Sequence, residues 1–230
     1  MHEVSAALHV AERIAHLTLI VMAIVYCLRI YWLTRYKAGR DLQAPTGTPG
    51  RTTPAKGIIY SWANIALPGA MESTRRKFLL YIQFVLFHMG VVFAISLTFV
   101  IPFAPEMLEV TAIQLLFRLF IGLAFLVGIV RIIRRLTDKY MRAISTPDDH
   151  FSLWLLTVWF LTGFLAAPNT PQKGELPYLI FFYMTAFFLL YVPFSKISHY
   201  LYYPFTRYYF GKTMGHRGVY PLVRKGAPKG

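Results

Sequence analysis

The stretch Glu175–Lys212, ELPYLIFFYMTAFFLLYVPFSKISHYLYYPFTRYYFGK, decides how the fold is organised. It begins with an apolar run that meets Pro193, and it continues as an aromatic and basic segment in which His199 stands near the junction. An apolar run of roughly 18 or more residues has the length that a bilayer requires of a spanning helix. We therefore expect this segment to cross a membrane and to carry His199 at its basic end.

The composition of the whole chain agrees with that expectation. The chain has 230 residues, of which 56% are hydrophobic and 15% are charged, whereas about a quarter of the residues in a soluble domain are charged. Apolar runs of membrane-spanning length recur along the sequence. The chain is therefore predicted to be an integral membrane protein with no room for a separate soluble domain.

The hydropathy pattern predicts an all-α fold, a five-transmembrane-helix bundle that forms one domain over residues 1–230. The predicted spans are 14–33, 78–101, 113–133, 151–167 and 178–194, and a tail follows over residues 195–230. Pro102 is expected to close the second span, because proline disrupts a continuing helix. In the long polar loop before that span, IIYSWANIALPGAM, Ile58–Met71, is expected to form a short amphipathic helix at the membrane surface.

The positive charge predicts how the bundle is oriented. The formal net charge is +14, and the Lys and Arg residues gather after the first span, after the third span and in the tail. These regions share one side of a five-span protein, and the positive-inside rule makes that side cytoplasmic. We expect the N-terminus outside, the C-terminus and its surface-lying tail in the cytoplasm, and the chain in a bacterial or archaeal cytoplasmic (inner) membrane. The charge then gives no reason to expect nucleic acid as a partner.

The cysteine content excludes several kinds of redox site. Cys27 is the only cysteine, so a disulfide within the chain is impossible. A cysteine-ligated iron–sulfur cluster would need several thiolates. Covalent attachment of a c-type haem would need a C-x-x-C-H motif, which the sequence lacks.

Two histidines are the candidate ligands of a cofactor. His88 lies well inside the second predicted span, KFLLYIQFVLFHMGVVFAISLTFVIP, Lys77–Pro102. An imidazole in hydrocarbon needs a partner for its N–H group, and His88 could find one on a neighbouring helix. Alternatively, His88 and His199 form the axial pair of one haem b, since bundles build cofactor sites from facing helices. Counting along the helices puts His88 roughly 16 Å from Lys77 and His199 about 33 Å from Pro177, so equal depth requires a protruding second helix or tilted helices.

Several arginines lie near the ends of the predicted spans. Arg75, Arg76 and Arg135, together with Arg131 and Arg134, are candidates to pair with haem propionates. The alternative for each of them is ordinary positive charge on the cytoplasmic side. Arg29 and Arg118 are close enough to span ends to extend their charged heads towards the interface.

Three N-terminal histidines, His2, His9 and His16, are spaced by seven and share one stripe of a helix. One interpretation is that these histidines lie at the membrane interface and have no further role. The alternative is that His9 and His16 take part in quinone protonation, or that one of them ligates a second haem. Residues seven apart lie roughly 10 Å apart along a helix, so both cannot ligate one iron.

Two motifs resemble a known family. FHMGVVFAI, Phe87–Ile95, and PFSKISHYLYYPFTRYYFG, Pro193–Gly211, are similar to the respiratory nitrate reductase gamma subunit family, a five-helix cytochrome b that oxidises quinol. MESTRRKFLLYIQFVLFHMG, Met71–Gly90, looks closer to the related membrane subunits of sulfite-reduction-associated, hydrogenase-associated and heterodisulfide-reductase-like complexes.

The resemblance implies that His88 and His199 ligate the haem nearer the cytoplasm. Members with two haems have another pair of ligands, about ten residues after the first histidine and about eighteen before the last. In this chain those positions are Thr98 and Phe181, which cannot ligate haem. One haem is therefore expected.

The expected function is electron relay between the quinone pool and a cytoplasmic iron–sulfur subunit through one haem b. Such a chain is an electron-transfer subunit of an oxidoreductase complex and not a complete enzyme by itself. The main alternative is a haem-free membrane anchor or assembly subunit that binds quinone or lipid only. A small transporter would be expected to have interrupted helices or polar pathway residues, and the spans contain little of either.

Overall fold

The computed structural model describes residues 5–37, 39, 41–47, 50–66 and 75–222. Within these ranges the regular structure is helical, and five helices are long and apolar enough to cross a membrane. The all-α, five-span fold predicted from the sequence is confirmed. The helices are α1 Ala6–Arg35, α2 Pro54–Ala66, α3 Phe78–Phe103, α4 Thr111–Thr137, α5 Lys139–Ile144, α6 Pro147–Ala166, α7 Leu176–Tyr191 and α8 His199–His216; α1, α3, α4, α6 and α7 are the spans.

Most of the spanning helices extend beyond the predicted spans, since a helix can continue into the interface after its apolar run has ended. The first begins at Ala6 instead of residue 14. Pro102 does not close the second span: it lies within the last turn of α3, which ends at Phe103. The fourth begins at Pro147, where a capping box joins Thr146 and Asp149. The fifth is α-helical only to Tyr191 and continues as a 3₁₀ turn over Val192–Phe194.

The chain divides into two compact units, Met1–Ile30 with Leu79–Ser198, and Tyr31–Phe78 with His199–Gly230. We call them the span unit and the tail unit. The span unit holds nearly all of the five spanning helices, and the tail unit holds α2 and α8. The assignment of residues 1–230 to one domain stays a prediction.

Small residues bring the helices of the span unit close together. A Cβ atom on Gly90 of α3 would lie 2.0 Å from the Cβ of Ala124 in α4, and one on Gly128 would lie 2.4 Å from the hydroxyl of Thr157 in α6. Real side chains do not approach so closely, so these positions exclude anything larger than glycine. As in other membrane bundles, small residues let the backbones pack, and α4 lies against both α3 and α6.

Hydrogen bonds hold the N-terminal end of α1 against the start of α7. The backbone N–H of Ser5 donates to Glu175 Oε1 over 2.9 Å, and the Ser5 hydroxyl donates to the other carboxylate oxygen. These bonds lower the pKa of Glu175 below its usual value, with a smaller contribution from His9. The charged carboxylate therefore joins two spanning helices at one end of the span unit.

In the tail unit, α2 and α8 pack through glycines. A Cβ on Gly57 would lie 2.2 Å from the carbonyl oxygen of Gly211, and one on Gly215 would lie 2.3 Å from that of Thr53. Beside this contact the Ser61 hydroxyl donates to the Arg207 carbonyl over 2.9 Å, and Arg207 Nη2 donates to the Ser61 carbonyl over 2.9 Å. The helix expected near Ile58–Met71 thus exists at Pro54–Ala66, while residues 67–71 lie outside the described part.

The segment that follows α8 returns to the polar loop before α2. Arg217 Nε donates to Asp41 Oδ2 over 2.7 Å, and His216 Nε2 donates to the carbonyl of Gln43 over 2.7 Å. The Arg217 guanidinium keeps the pKa of Asp41 below its ordinary value. The tail therefore contains a helix packed on the loop helix, a contact that the sequence did not predict.

Replacement of Gly211 by alanine should destabilise the tail unit. The new Cβ would lie 2.7 Å from the Gly57 carbonyl oxygen and from Ser61 Cβ, and such overpacking costs roughly 1–3 kcal/mol, which outweighs the helix propensity that alanine gains. Faster trypsin cleavage after Lys212 would report the opening of α8. Gly39→Ala is the control, because nothing lies within 4 Å of a Cβ there; equal cleavage of the two variants would contradict the prediction.

Replacement of Glu175 by glutamine should lower thermal stability at neutral pH and have little effect in acid. The lowered pKa of Glu175 means that its contribution to stability is present above the unfolded pKa and is lost as the pH falls through the folded pKa. Thermal unfolding of both proteins at pH 7 and near pH 3 checks this. Glu106→Gln, at an exposed glutamate of the span unit, is the control, and a Glu175→Gln deficit that persists in acid would count against the ionic origin.

Candidate functional site

His88 lies in α3 two residues before Gly90, the glycine that packs against Ala124 of α4. Its Nδ1 is 2.7 Å from the carbonyl oxygen of Phe84, one turn earlier in α3. A carbonyl can only accept, so Nδ1 carries the hydrogen and Nε2 carries the lone pair of the neutral ring. The ring is also stacked obliquely on Phe84, with centroids 4.1 Å apart. This arrangement fixes both the tautomer and the direction of the imidazole, as second-shell bonds do for metal-ligating histidines.

His199 is the first residue of α8 and belongs to the tail unit. The residues before it, Val192–Ser198, form two 3₁₀ turns that serine side chains hold together. The Ser195 hydroxyl donates to the Val192 carbonyl over 3.1 Å, and the Ser198 hydroxyl donates to the Ser195 carbonyl over 2.8 Å. The P-F-S-K-I-S-H motif is thus a tight link between the last spanning helix and His199.

The candidate propionate partners occupy different surroundings. In the span unit, Arg135 Nη1 donates to the Ser145 hydroxyl over 2.9 Å and lies 3.8 Å from Asp149 Oδ2. Arg131, one turn earlier on α4, stacks its guanidinium over the ring of Phe87, 4.7 Å from the centroid. Arg75 and Arg76 are exposed and belong to the tail unit. Arg131 therefore lies at the level of His88, whereas Arg135 is engaged closer to the end of the bundle.

Thr98 and Phe181 lie in a packed aromatic core of the span unit. Trp159 is fully buried; its ring lies parallel to Phe181 at 6.1 Å and to Phe188 at 4.8 Å. Its Nε1 donates to the Thr185 hydroxyl over 2.8 Å. The Thr98 hydroxyl donates to the backbone of its own helix, at Ala94. The space left beside Thr98 and Trp159 is a cavity of about 10 Å³, little more than one water molecule needs.

The N-terminal histidines have unlike environments. His9 is exposed, and its Nδ1 lies 3.4 Å from the Glu12 carboxylate. His16 contacts the rings of Phe99 and Phe103 and lines the small cavity beside Thr98. Its Nε2 is buried and, among the described residues, has no hydrogen-bond partner. His2 lies outside the described residues.

The structure thus brings some of the predicted site residues into one neighbourhood and leaves others apart. His88 and Arg131 lie on α3 and α4 of the span unit, and His16 and Thr98 line one cavity in that unit. Arg75, Arg76 and His199 belong to the tail unit. Trp159 is the residue that sequence reasoning missed: only its position in the fourth apolar run hinted that it fills the bundle core.

The comparison with known families agrees with the motifs. Residues 71–179 match the family described as nitrate reductase gamma subunit; the match includes His88 and stops before His199. No curated protein and no solved structure matches the chain. Over residues 71–179, just under half of its length, the chain is therefore similar to the nitrate reductase gamma subunit family, and its five helices of membrane-spanning length support a multi-pass membrane protein.

Proposed function

We propose that this chain is the membrane cytochrome b subunit of a respiratory redox complex and that His88 and His199 hold one haem b. The family match supports the general part of this proposal, that the chain is a cytochrome b-type membrane subunit. The observation that best supports the specific part, haem ligation by His88, is the hydrogen bond of 2.7 Å between His88 Nδ1 and the Phe84 carbonyl. It gives the imidazole the tautomer that an iron ligand needs, inside an apolar helix.

A structural histidine is the competing explanation for His88. In that case a bond from Nδ1 to the backbone would satisfy the donor, and Nε2 would only need a weak partner. However, polar side chains within spans are costly and usually mark a function. The motif around His199 supplies a second imidazole at the end of the last span, and the family resemblance joins the two. Together these observations favour axial ligation over a purely structural role.

We propose different roles for the arginines near the haem ligands. Arg131 contacts Phe87, the neighbour of His88, so it is the propionate partner that the geometry of the span unit favours. Arg135 is already engaged with Ser145 and Asp149, and we assign it to holding the ends of α4 and α6 together. Arg75 and Arg76 remain candidate propionate partners from the segment before α3. A charge-assisted contact with a propionate would orient the macrocycle and stabilise its carboxylates.

We propose one haem for each chain. Thr98 and Phe181 stand at the positions of the second ligand pair, and neither side chain can bind iron. The region around them is filled by Trp159, Phe181 and Phe188, and its cavity of about 10 Å³ is far below the roughly 300 Å³ at which ligand pockets begin. His9 and His16 stay candidates for quinone protonation, and the cavity beside His16 is too small to hold a quinone ring.

In this mechanism the protein binds and orients, and the cofactor supplies one-electron chemistry when it is bound. His88 and His199 would hold the iron, the hydrogen bond to the Phe84 carbonyl holds the His88 ring, and the apolar span would keep water away. We propose that electrons pass between the quinone pool and an iron–sulfur subunit on the basic face, which the positive-inside rule makes cytoplasmic. The chain itself is the relay and not the complete enzyme.

The haem ligands can be tested by optical spectroscopy. The purified chain should show a b-type reduced-minus-oxidised spectrum, and His88→Ala or His199→Ala should abolish it, because one remaining imidazole cannot hold a low-spin haem. His150→Ala, at a half-buried histidine of α6, is the control and should keep the signal. A haem-free parent chain that still assembles with its complex would instead support the membrane-anchor alternative.

The number of haems distinguishes this chain from members with two. Haem extracted from the purified protein and measured against protein should give a ratio of one, since Thr98 and Phe181 supply no ligands. His16→Ala should leave that ratio unchanged. A ratio of two that falls to one in His16→Ala would assign a second haem to His16 and contradict the proposal.

A further inference from the structure

Arg118 is a cation within the third spanning helix that the proposed relay does not use. It lies seven residues after the start of α4, roughly 10 Å along the helix axis. Its guanidinium stacks over the ring of Phe164, 4.8 Å from the centroid, near the end of α6 at Ala166. Side chains on a helix lean towards its N-terminus, so Arg118 reaches from two turns inside the bundle towards the membrane surface.

Among the residues that the structure describes, the guanidinium of Arg118 forms no ion pair. Arg118 Nε is buried without a hydrogen-bond partner in the described part of the chain. The quadrupole of an aromatic ring offsets only part of the cost of desolvating a cation, so the guanidinium still has the capacity to bind an anionic acceptor.

The surface next to Arg118 is apolar and exposed. Leu115 and Leu119 flank it on α4 and are each 54% exposed, and Leu165, beside Phe164 on α6, is 49% exposed. Several exposed leucines close together on a spanning helix can contact the acyl chains of a lipid. The local surface therefore combines an apolar wall with one fixed cation close to the level where lipid phosphates lie.

We propose that Arg118 and Phe164 form a binding site for the phosphate of an anionic lipid, in the leaflet where α4 begins and α6 ends. The fork of the guanidinium donates to the phosphate oxygens, as arginine does in bidentate recognition. Phe164 fixes the plane of the fork, and the exposed leucines receive the acyl chains. The inference depends on the five-span fold and is independent of haem.

Native mass spectrometry of the purified full-length chain, reconstituted with phosphatidylcholine and phosphatidylglycerol, tests the site. The parent chain should retain phosphatidylglycerol tightly, and Arg118→Gln should lower its affinity about tenfold, because a hydrogen bond to a charged group is lost. Arg118→Lys should fall between the two, since lysine keeps the charge without the fork. Thermal unfolding in phosphatidylcholine alone checks that each variant is folded.

Arg13→Gln is the matched control. Arg13 also lies seven residues after the start of its spanning helix, but it is exposed, so its loss should leave the tightly bound lipid in place. Inorganic phosphate added to the chain in phosphatidylcholine should not stabilise it; an Arg118-dependent stabilisation by phosphate alone would overturn the assignment to lipid. Equal phosphatidylglycerol retention by the parent chain and Arg118→Gln would overturn the site itself.

Discussion

A polar group that enters the hydrocarbon of a bilayer has to find its partner inside the protein, because no water is available there. The span unit meets this requirement mostly within single helices. The hydroxyls of Thr98, Thr157 and Thr185 each donate to a carbonyl one turn earlier, and Trp159 completes its bonding through Thr185. Once these groups are satisfied, the helices can pack as apolar rods with glycines at their closest approaches.

The same constraint gives functional meaning to the polar groups that the spans retain. His88 satisfies its donor through the Phe84 carbonyl and thereby keeps a nitrogen with the chemistry of a metal ligand. Arg118 Nε and His16 Nε2 are buried without a partner among the described residues. The cost of such groups in hydrocarbon is high enough that a protein retains them at sites that bind something. Haem and anionic lipid are the occupants that we propose for His88 and Arg118.

Aromatic packing in the span unit also bears on the number of haems that we propose. Trp159 packs against Phe181 and Phe188 in the core of the span unit. With the one haem that we propose, quinone would either approach more deeply or exchange electrons at the cytoplasmic half. The one-haem proposal therefore rests on side-chain volume as well as on the identity of Thr98 and Phe181.

The sequence by itself determined the five spans and the family resemblance, because the spans depend on apolar length and the resemblance on local motifs. It also singled out His88, since a histidine within an apolar run is visible without a structure. Most helix ends differed because a helix can continue after its apolar run has ended, and at Pro147 because proline is tolerated in the first turn. Only the tertiary structure revealed the Trp159 core, the Gly57–Gly211 contact of the tail unit and the place of Arg118 over Phe164. These contacts join residues far apart in sequence, and their energies depend on interlocking shapes that no local pattern of residues records.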